Sequence, residues 1–237
     1  MSTSTLAAVR KDVRALGDPR DAEFLQRFFK TGAGQYGEGD RFLGIRVPQL
    51  RQLARVHDAL RHEHVVQLLR SGWHEERLLA LLLLIAAYRR ADETGRNLIH
   101  QAYLDNARYI NNWDLVDASA EHIVGAHLDP RKLTLLVELA RSDSLWERRI
   151  AIVAPFHWIR KGVFRPTLHV ARLLVKDSHD LIHKAVGWML REVGKRDQDA
   201  EERFLQTHYR VMPRTMLRYA IERFPEKRRM QYLHGEA

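Results

Sequence analysis

The segment NNWDLVD, Asn111–Asp117, places an indole and a carboxylate four residues apart. If the segment is helical, Trp113 and Asp117 project from one face, because residues i and i+4 are neighbours on a helix. An indole face and a carboxylate both attract positive charge. The spacing therefore predicts a pair that stabilises a cation, although the same spacing also occurs in ordinary helix packing.

The other polar residues of this segment predict the start of a helix. Asn111 or Asn112 is suited to the N-cap position, where a short polar side chain accepts a hydrogen bond from the first turn. Asp114 follows in that first turn, where the helix dipole favours a negative charge. Capping explains these residues but gives no reason for Asp117, about one turn further along.

A second tryptophan lies in the segment AVGWMLRE, residues 185–192. On a helix Lys184 and Trp188 share a face, and Arg191 lies one turn beyond. Gly187 inside a helix costs ~1 kcal/mol relative to alanine, which predicts close packing or the close approach of a ligand. The alternative for Trp188 is a place in the hydrophobic core.

Arg148 and Arg149 begin another predicted helix, beside Trp146. Adjacent arginines usually form a solvated face. At the start of a repeated helix, however, a guanidinium could hold a phosphate through two hydrogen bonds. This pair is therefore a candidate for an anion-binding position.

Two further motifs favour chemistry only weakly. GAGQYG, residues 32–37, has the glycines of a dinucleotide loop, but it follows a predicted helix rather than a strand. His179 and His183 stand at i and i+4 and could face one metal ion, yet no third ligand accompanies them. We therefore predict a loop that contacts a ligand at most, and no metal site.

The composition limits the kind of partner. Lysine and arginine outnumber aspartate and glutamate by 39 to 30, giving a net charge of +9 and a pI near 10.0. This balance favours nucleic acid or an anionic membrane surface. The chain has no cysteine, which excludes disulfides, thiolate zinc sites and cysteine nucleophiles. Because the apolar run from Leu78 to Ala87 is too short to span a bilayer, we expect a soluble cytoplasmic protein.

Helical periodicity runs through almost the whole chain, and alternating β-branched runs are missing. Prolines 19, 48, 130 and 166 fall where a helix would begin, a position that tolerates proline. Residues 31–46 form the one long irregular segment. The predicted helices cover residues 3–16, 19–30, 47–58, 62–71, 74–90, 93–107, 112–126, 130–141, 144–160, 165–175, 178–195, 198–208, 213–224 and 226–233.

Three segments are similar to one another: EERLLALLLLI, WERRIAIVAPF and LIHKAVGWMLRE. Each follows a polar turn and opens with charged residues before an apolar helix. Their spacing fits a period of ~35 residues, which is typical of paired-helix repeats of the HEAT or armadillo type. We predict a single all-α domain over 1–237, an α-solenoid with N-terminal helices and a glycine-rich loop at 1–46 and a repeat array at 47–237.

The chain resembles the AlkD family of DNA alkylation repair glycosylases. The resemblance rests on FLGIRVPQLRQLAR (42–55), NNWDLVD, LWERRIAI (145–152), KDSHDLIHKAVGWMLRE (176–192) and PRTMLRYAIERF (213–224). It implies a C-shaped solenoid of HEAT-like repeats whose basic concave face holds duplex DNA. It also implies release of cationic alkylated purines, chiefly N3-alkyladenine and N7-alkylguanine, from a base that stays stacked.

The resemblance also assigns roles to single residues. The catalytic aspartate corresponds to Asp117, the two lesion-side tryptophans to Trp113 and Trp188, and the active-site arginine to Arg149. The loop around Tyr36 is more glycine-rich than the family's short loop, which leaves its role open. We assign DNA contacts to Arg148, Lys184, Arg191, Thr215, Arg218 and Tyr36.

We therefore predict a monofunctional, monomeric glycosylase that acts without metal or cofactor and works on the nucleoid. The main alternative is a non-catalytic HEAT-like scaffold that binds nucleic acid or an acidic protein. That alternative gives Asp117 no task, because phosphates would repel a carboxylate on the same face. A metallohydrolase using His179 and His183 is a further alternative, which predicts sensitivity to chelators.

Overall fold

The computed structural model describes residues 4–237, which form helices joined by short connectors. Within this range there is no strand, and the only pairing of that kind is an isolated bridge between Arg41 and Trp73. The predicted all-α class is confirmed. The chain divides into two compact units, with the boundary after Ser119. The organisation into a single repeat domain stays a prediction.

Unit one contains the helices that carry the NNWDLVD segment and its supports. A 3-10 turn at Ala107–Tyr109 precedes the last of them. The helices are α1 Leu6–Ala15, α2 Pro19–Phe28, α3 Val47–Val56, α4 His62–Leu69, α5 His74–Arg90, α6 Glu93–Asp105 and α7 Trp113–Ala120, whose final residue belongs to unit two. The first predicted helix began at residue 3, which lies outside the described residues.

Unit two continues α7 with a π-helical segment, Glu121–Gly125. Gly125 packs directly against the carbonyl of Ala154, where a side chain would not fit. The remaining helices are α8 Thr134–Ala140, α9 Leu145–Val153, α10 Phe156–Ile159, α11 Arg165–Leu174, α12 Asp180–Gly194, α13 Gln198–His208, α14 Arg214–Ala220 and α15 Glu226–His234, with a 3-10 turn at Ile221–Arg223 after α14.

Helix α5 forms the core of unit one. Leu79 and Leu81 are fully buried, as the apolar run in this helix predicted. Full burial of a leucine contributes about 1.5–3 kcal/mol, so this helix stabilises the unit through most of its length. Within the described residues, no helix is long and apolar enough to cross a membrane.

Three helices begin with the same hydrogen-bonded turn, and one of the three segments that are similar in sequence starts in each of them. The starts of these turns are one or two periods of ~35 residues apart. In each case the fourth residue of the helix binds the carbonyl oxygen six residues earlier: Arg77 Nη1 to Ser71 at 3.0 Å in α5, Arg148 Nη1 to Ser142 at 3.0 Å in α9, and His183 Nε2 to Asp177 at 2.5 Å in α12.

Two predicted boundaries were wrong, both at prolines. Pro130 does not begin a helix: Asp129 accepts hydrogen bonds from the backbone of Arg131 and Lys132, forming a turn, and α8 starts at Thr134. The predicted helix over 144–160 is broken at Pro155, because proline lacks the N–H that would continue the ladder. Pro19, Pro48 and Pro166 lie in the first turns of α2, α3 and α11, as predicted.

Candidate active site

Trp113 and Asp117 lie on the same face of α7, the less buried one. Leu115 and Val116 on the opposite side are fully buried in the core, whereas Trp113 and Asp117 are each half-buried. The apolar residues therefore fix the rotation of the helix. The prediction that the indole and the carboxylate share a face is confirmed.

The indole of Trp113 is held by aromatic packing inside unit one. It stacks on Phe29, with ring centroids 5.2 Å apart, and meets the edge of Phe28 at 6.1 Å. Such pairs contribute about 0.5–1.5 kcal/mol beyond simple burial. The two phenylalanines thus fix the orientation of Trp113 while leaving part of its surface accessible.

The negative charge of Asp117 affects the pKa of a buried hydroxyl in the same unit. Tyr103 is fully buried, and its hydroxyl pairs with Ser119 Oγ at 2.9 Å. Burial raises the pKa of Tyr103, Ser119 opposes the rise, and the negative charge of Asp117 adds to it. The field of Asp117 therefore reaches into the core beneath α7.

A buried ion network supports the N-terminus of α7. His74 Nδ1 pairs with Asp40 Oδ2 at 2.8 Å, and His74 Nε2 pairs with Asp114 Oδ2 at 2.8 Å. Arg77 donates to Asp40 Oδ1 at 2.6 Å, and Asn112 donates to Asp40 Oδ2 at 3.3 Å. The network joins the glycine-rich loop, α5 and α7.

The charges of this network follow from its pairing. Burial lowers the pKa of His74, but the carboxylates of Asp114 and Asp40 outweigh it and raise this pKa to about 9. Burial raises the pKa of Asp40, but His74 and Arg77 outweigh it and lower that pKa to about 2. His74 is therefore an imidazolium ion at neutral pH, held between two carboxylates.

The residues before α7 do more than the capping that the sequence predicted. The carbonyl of Asn112 accepts a hydrogen bond from Val116, as an N-cap residue should. Its side chain, however, accepts from Trp113 N–H and donates to Asp40. Asp114 lies in the first turn as predicted, but its carboxylate binds His74.

Glu75 anchors the end of the glycine-rich loop. Its buried carboxylate accepts hydrogen bonds from the backbone N–H groups of Leu43, Gly44 and Ile45, at 2.8 to 3.2 Å. Gly44 has φ +84°, a conformation that favours glycine. The predicted irregular segment is thus a fixed connector at this end, and Tyr36 lies half-buried within it.

In unit two, Trp188 is half-buried on α12 and meets Phe156 edge-to-face at 5.7 Å. Gly187, beside Trp188, allows α14 to pack closely against α12. A Cβ at Gly187 would lie 2.5 Å from Tyr219 Cβ and would overlap the carbonyl of Met216. Close packing of α14 on α12, one of the two predicted explanations of this glycine, is confirmed.

The two adjacent arginines of α9 are engaged within unit two. Arg149 is buried and donates to the carbonyl of Leu181 at 2.6 Å. Arg148 donates to Asp177 at 2.7 Å and to the carbonyls of Ser142 and Asp143. These bonds connect the starts of α9 and α12, so both arginines have structural roles, and their roles toward DNA stay predictions.

The remaining basic candidates of unit two lie on α12 and α14. Lys184 pairs with Asp180 at 2.7 Å, and this bond together with one from Thr215 lowers the pKa of Asp180. Arg191 forms an ion pair with Glu222. Arg218 is exposed on α14. Lys184, Trp188 and Thr215 thus belong to one α12–α14 assembly, and their contact with DNA stays a prediction.

The two histidines of the alternative metal site are used in the structure of α12. His179 precedes the helix, and its Nδ1 accepts a hydrogen bond from Leu181 N–H at 3.1 Å. His183 binds the carbonyl of Asp177. His179 is the N-cap residue of α12, and its carbonyl accepts a hydrogen bond from His183 N–H at 3.1 Å. In residues 4–237 no group of three or more histidines and carboxylates has the arrangement of a metal site.

A family model described as DNA alkylation repair enzyme matches residues 9–224. The chain belongs to the DNA alkylation repair enzyme family. Among solved structures, it is similar to one described as a predicted DNA alkylation repair enzyme from Enterococcus faecalis. The TM-score is 0.67 at 18% identity, covering 89% of this chain and 97% of the other. This likeness shows a shared fold and agrees with the predicted α-solenoid. No curated protein sequence matches the chain significantly.

Sequence reasoning missed the ion network under α7. His74 and Arg77 belong to the charged opening of an apolar helix, which we interpreted only as part of the repeat. The sequence signal of the network was the motif HEER, which directly precedes ten apolar residues. Charged side chains at the start of such an apolar helix are buried only when they are paired. Their partner Asp40 lies 34 residues before His74 in the loop, beyond the reach of helical periodicity.

Proposed function

We propose that this protein is a DNA glycosylase that excises cationic alkylated purines, N3-alkyladenine and N7-alkylguanine, from duplex DNA. The observation that carries the proposal is the accessible pair of Trp113 and Asp117 on one face of α7, in a member of the DNA alkylation repair enzyme family. A carboxylate beside an indole suits a substrate that becomes positively charged during the reaction.

The proposed chemistry needs little acid catalysis. Alkylation at N3 or N7 already gives the base a positive charge and makes it a good leaving group. As the glycosidic bond breaks, the positive charge moves to the deoxyribose. Asp117 stabilises that developing cation and positions the water that attacks it, because a fixed charge is most effective when aimed at the transition state.

The two tryptophans have a supporting role in this proposal. Trp113 and Trp188 pack against the sugar and backbone of the damaged nucleotide and contribute about 0.5–2 kcal/mol each through attraction to the cation. Phe28 and Phe29 hold Trp113 in place, and Phe156 contacts Trp188. Rigid packing lowers the entropy lost when the substrate binds.

Binding to DNA is assigned to basic residues that contact phosphates. Lys184, Arg191 and Arg218, with Thr215, lie on α12 and α14, and the whole chain carries a net charge of +9. Phosphate contacts position a duplex without reading its sequence. Arg149 is the arginine of the reaction site in this proposal, and its bond to Leu181 fixes its orientation. Arg148 and Tyr36 remain additional candidates.

The proposal makes the enzyme monofunctional. No lysine is assigned as a nucleophile, so the product is an abasic site in an intact strand. The lesion is gripped through its backbone while the base remains stacked, and the reaction needs neither metal nor cofactor. Because the protein acts as a monomer, each molecule contacts a single damaged site.

The test is to incubate the protein with methylated duplex DNA in the presence of EDTA and to quantify the free bases by chromatography. We expect wild type and the control variant Asp199→Asn, which changes an exposed carboxylate of α13, to release 3-methyladenine and 7-methylguanine. The variant Asp117→Asn should bind the same DNA but release little.

If wild type binds the DNA and releases no base, the protein is a nucleic-acid-binding scaffold instead. If release occurs only without EDTA, a metal-dependent hydrolase replaces the proposal.

A further inference from the structure

The ring of His74 lies in a series of aromatic contacts that leads to Trp113. His74 is 2% exposed and stacks on Phe42, with ring centroids 4.4 Å apart. Phe29 lies 5.2 Å from the His74 ring on a tilted plane, and it also stacks on Trp113 at 5.2 Å. The imidazole, Phe29 and the indole therefore pack as one connected group in unit one.

Hydrogen bonds from both ring nitrogens of His74 also lead to the first turn of α7. Nε2 pairs with Asp114, the residue directly after Trp113, at 2.8 Å. Nδ1 pairs with Asp40, whose carboxylate also accepts a bond from the side chain of Asn112. The same Asn112 side chain accepts a bond from the backbone N–H of Trp113 at 2.8 Å. His74 is thus connected to the start of α7 through Asp114 and through Asp40.

These contacts hold the ring of His74 in one orientation. Turning the ring would break both charged hydrogen bonds and the stacking on Phe42, and charged hydrogen bonds are about twice as strong as neutral ones. A cation against aromatic rings adds further attraction. Because Trp113 and the first turn of α7 pack on this fixed group, their positions depend on it. A displacement of about 1 Å in a reaction site is enough to lower a rate about 10²-fold.

The contacts need the proton on His74. The charged groups facing the ring are Asp114 from α7 and Asp40 from the glycine-rich loop, while Arg77 from α5 binds the other oxygen of Asp40. Glu75, beside His74, is engaged by backbone N–H groups of the loop. A neutral imidazole has a single N–H, so one of the two carboxylates would face a ring nitrogen that cannot donate. Loss of the proton therefore releases either Asp40 or Asp114, and the start of α7 shifts with it.

We propose that His74 is a positioning residue for Trp113 and Asp117, because it holds the indole through Phe29 and the start of α7 through Asp114. His74 is buried, so it acts through these neighbours and not on the substrate. The reaction that it supports rests on the proposed function, whereas its control over the position of Trp113 follows from the contacts alone.

The first test follows the indole directly and needs no enzyme activity. The protein is prepared with fluorotryptophan, and the fluorine NMR signal of Trp113 is identified by its loss in Trp113→Phe. Between pH 7 and 10 we expect this signal to shift with a midpoint near pH 9, the pKa of His74. Asp114→Asn should lower the midpoint by at least about one pH unit, because burial lowers this pKa and Asp114 opposes it most strongly. His74→Gln should abolish the shift.

The second test measures the single-turnover rate of base release and the affinity for DNA. His74→Gln should lower the rate about tenfold or more while the affinity stays within about threefold of wild type, because the phosphate contacts are assigned to other residues. His62→Gln is the matched control, since His62 is the first residue of α4 as His74 is of α5. The control should change neither the rate nor the affinity.

The outcomes separate the role of His74 from the proposed function. A Trp113 signal that does not titrate near pH 9, or that titrates equally in His74→Gln, overturns the inference. A release rate in His74→Gln equal to that of wild type overturns it as well. If wild type releases no base, only the proposed function falls, and the Trp113 signal still decides the role of His74. If His74→Gln does not fold, the titrations of wild type and Asp114→Asn decide, and an unchanged midpoint in Asp114→Asn overturns the inference.

Discussion

At the scale of the residue, the imidazolium of His74 makes the stability of the protein depend on pH. It lies between Asp40 and Asp114, and its pKa of about 9 is above the ordinary value of 6.5. A group whose pKa is raised on folding contributes stability that is complete below its unfolded pKa and is lost as pH rises through the folded one. For His74 that window runs from about pH 6.5 to 9.

We therefore expect the free energy of unfolding to fall by about 3 kcal/mol from His74 alone between pH 6.5 and 9.5. Denaturant unfolding over this range measures the fall. The variant His74→Gln should be less stable at pH 6.5, because two carboxylates lose their shared partner, but it should lack this part of the pH dependence. An equally steep fall in His74→Gln would contradict the arrangement.

Asp40 gives the opposite dependence at acid pH. Its pKa is lowered to about 2 from the ordinary 3.8, so its contribution is present above pH 3.8 and lost as pH falls toward 2. Stability below pH 4 should therefore decrease less in Asp40→Asn than in wild type, as measured by unfolding at pH 2.5 and 5. A parallel decrease in the two proteins would count against the ion network.

A second buried acid, Glu201 in α13, works against stability. Burial and the charge of Glu202 raise its pKa to about 9, against an ordinary value of 4.5, and Arg191 opposes this only in part. A carboxyl with a raised pKa must take up a proton on folding, so it destabilises the folded state as pH rises above 4.5.

Glu201→Gln removes that cost while keeping the shape of the side chain. We expect its free energy of unfolding at pH 7.5 to exceed that of wild type by about 1–3 kcal/mol, with a smaller gain at pH 5. Asp199→Asn, which changes an exposed carboxyl of the same helix, should show no gain. A gain of the same size at both pH values would mean that the titration of Glu201 is not its source.

At the scale of the element, the contact between α12 and α14 depends on Gly187. Because the obstacles to a side chain there include the backbone of α14 at Met216, the strain cannot be relieved by turning a flexible group. Gly187→Ala should lower the free energy of unfolding by about 1–3 kcal/mol, in spite of alanine's higher helix propensity.

Gly72→Ala is the matched control, because nothing lies within 4 Å of a Cβ at that position. We expect it to change the free energy of unfolding by less than about 0.5 kcal/mol. Urea unfolding of both variants makes the comparison. A Gly187→Ala variant as stable as wild type would show that α14 can move away from α12.

The helices could be predicted from the sequence to the extent that their signals are local. The predicted helix over 74–90 has the observed bounds of α5, because its apolar run and its charged ends are continuous in sequence. Pro155 divides the helix predicted over 144–160 into α9 and α10. Hydrophobic periodicity alone does not indicate such a break. Asp129 closes a turn around Pro130 through hydrogen bonds that compete with helix formation.

The candidate site was predictable only in part, for the same reason. The spacing of Trp113 and Asp117 sets their common face, so a local pattern was enough. Asp40, His74 and Asp114 come from three separate elements, and their pairing depends on tertiary structure. A pocket lined by Phe24, Phe28, His74 and Asp114 likewise combines α2 with α5 and α7, so no single segment of sequence indicates it.

At the scale of the whole molecule, the net charge of +9 should make DNA binding strongly dependent on salt. Each phosphate contact adds nearly one unit to the slope of log K against log salt. Arg218→Ala, on the exposed surface of α14, should reduce this slope by about one unit. Arg203→Ala, an exposed position of α13 with no assigned contact, should leave it unchanged, as measured by fluorescence anisotropy at 50 to 200 mM salt. Equal slopes in both variants would remove Arg218 from the interface.

The central claim is that Asp117 stabilises positive charge in the transition state rather than holding DNA. The measurement that tests it most directly is the single-turnover rate of 7-methylguanine release from a duplex at saturating protein, for wild type, Asp117→Asn and Asp199→Asn. We predict a loss of about 10²–10³-fold in Asp117→Asn alone, with DNA affinity within about threefold of wild type. A release rate in Asp117→Asn equal to that of wild type would contradict the account.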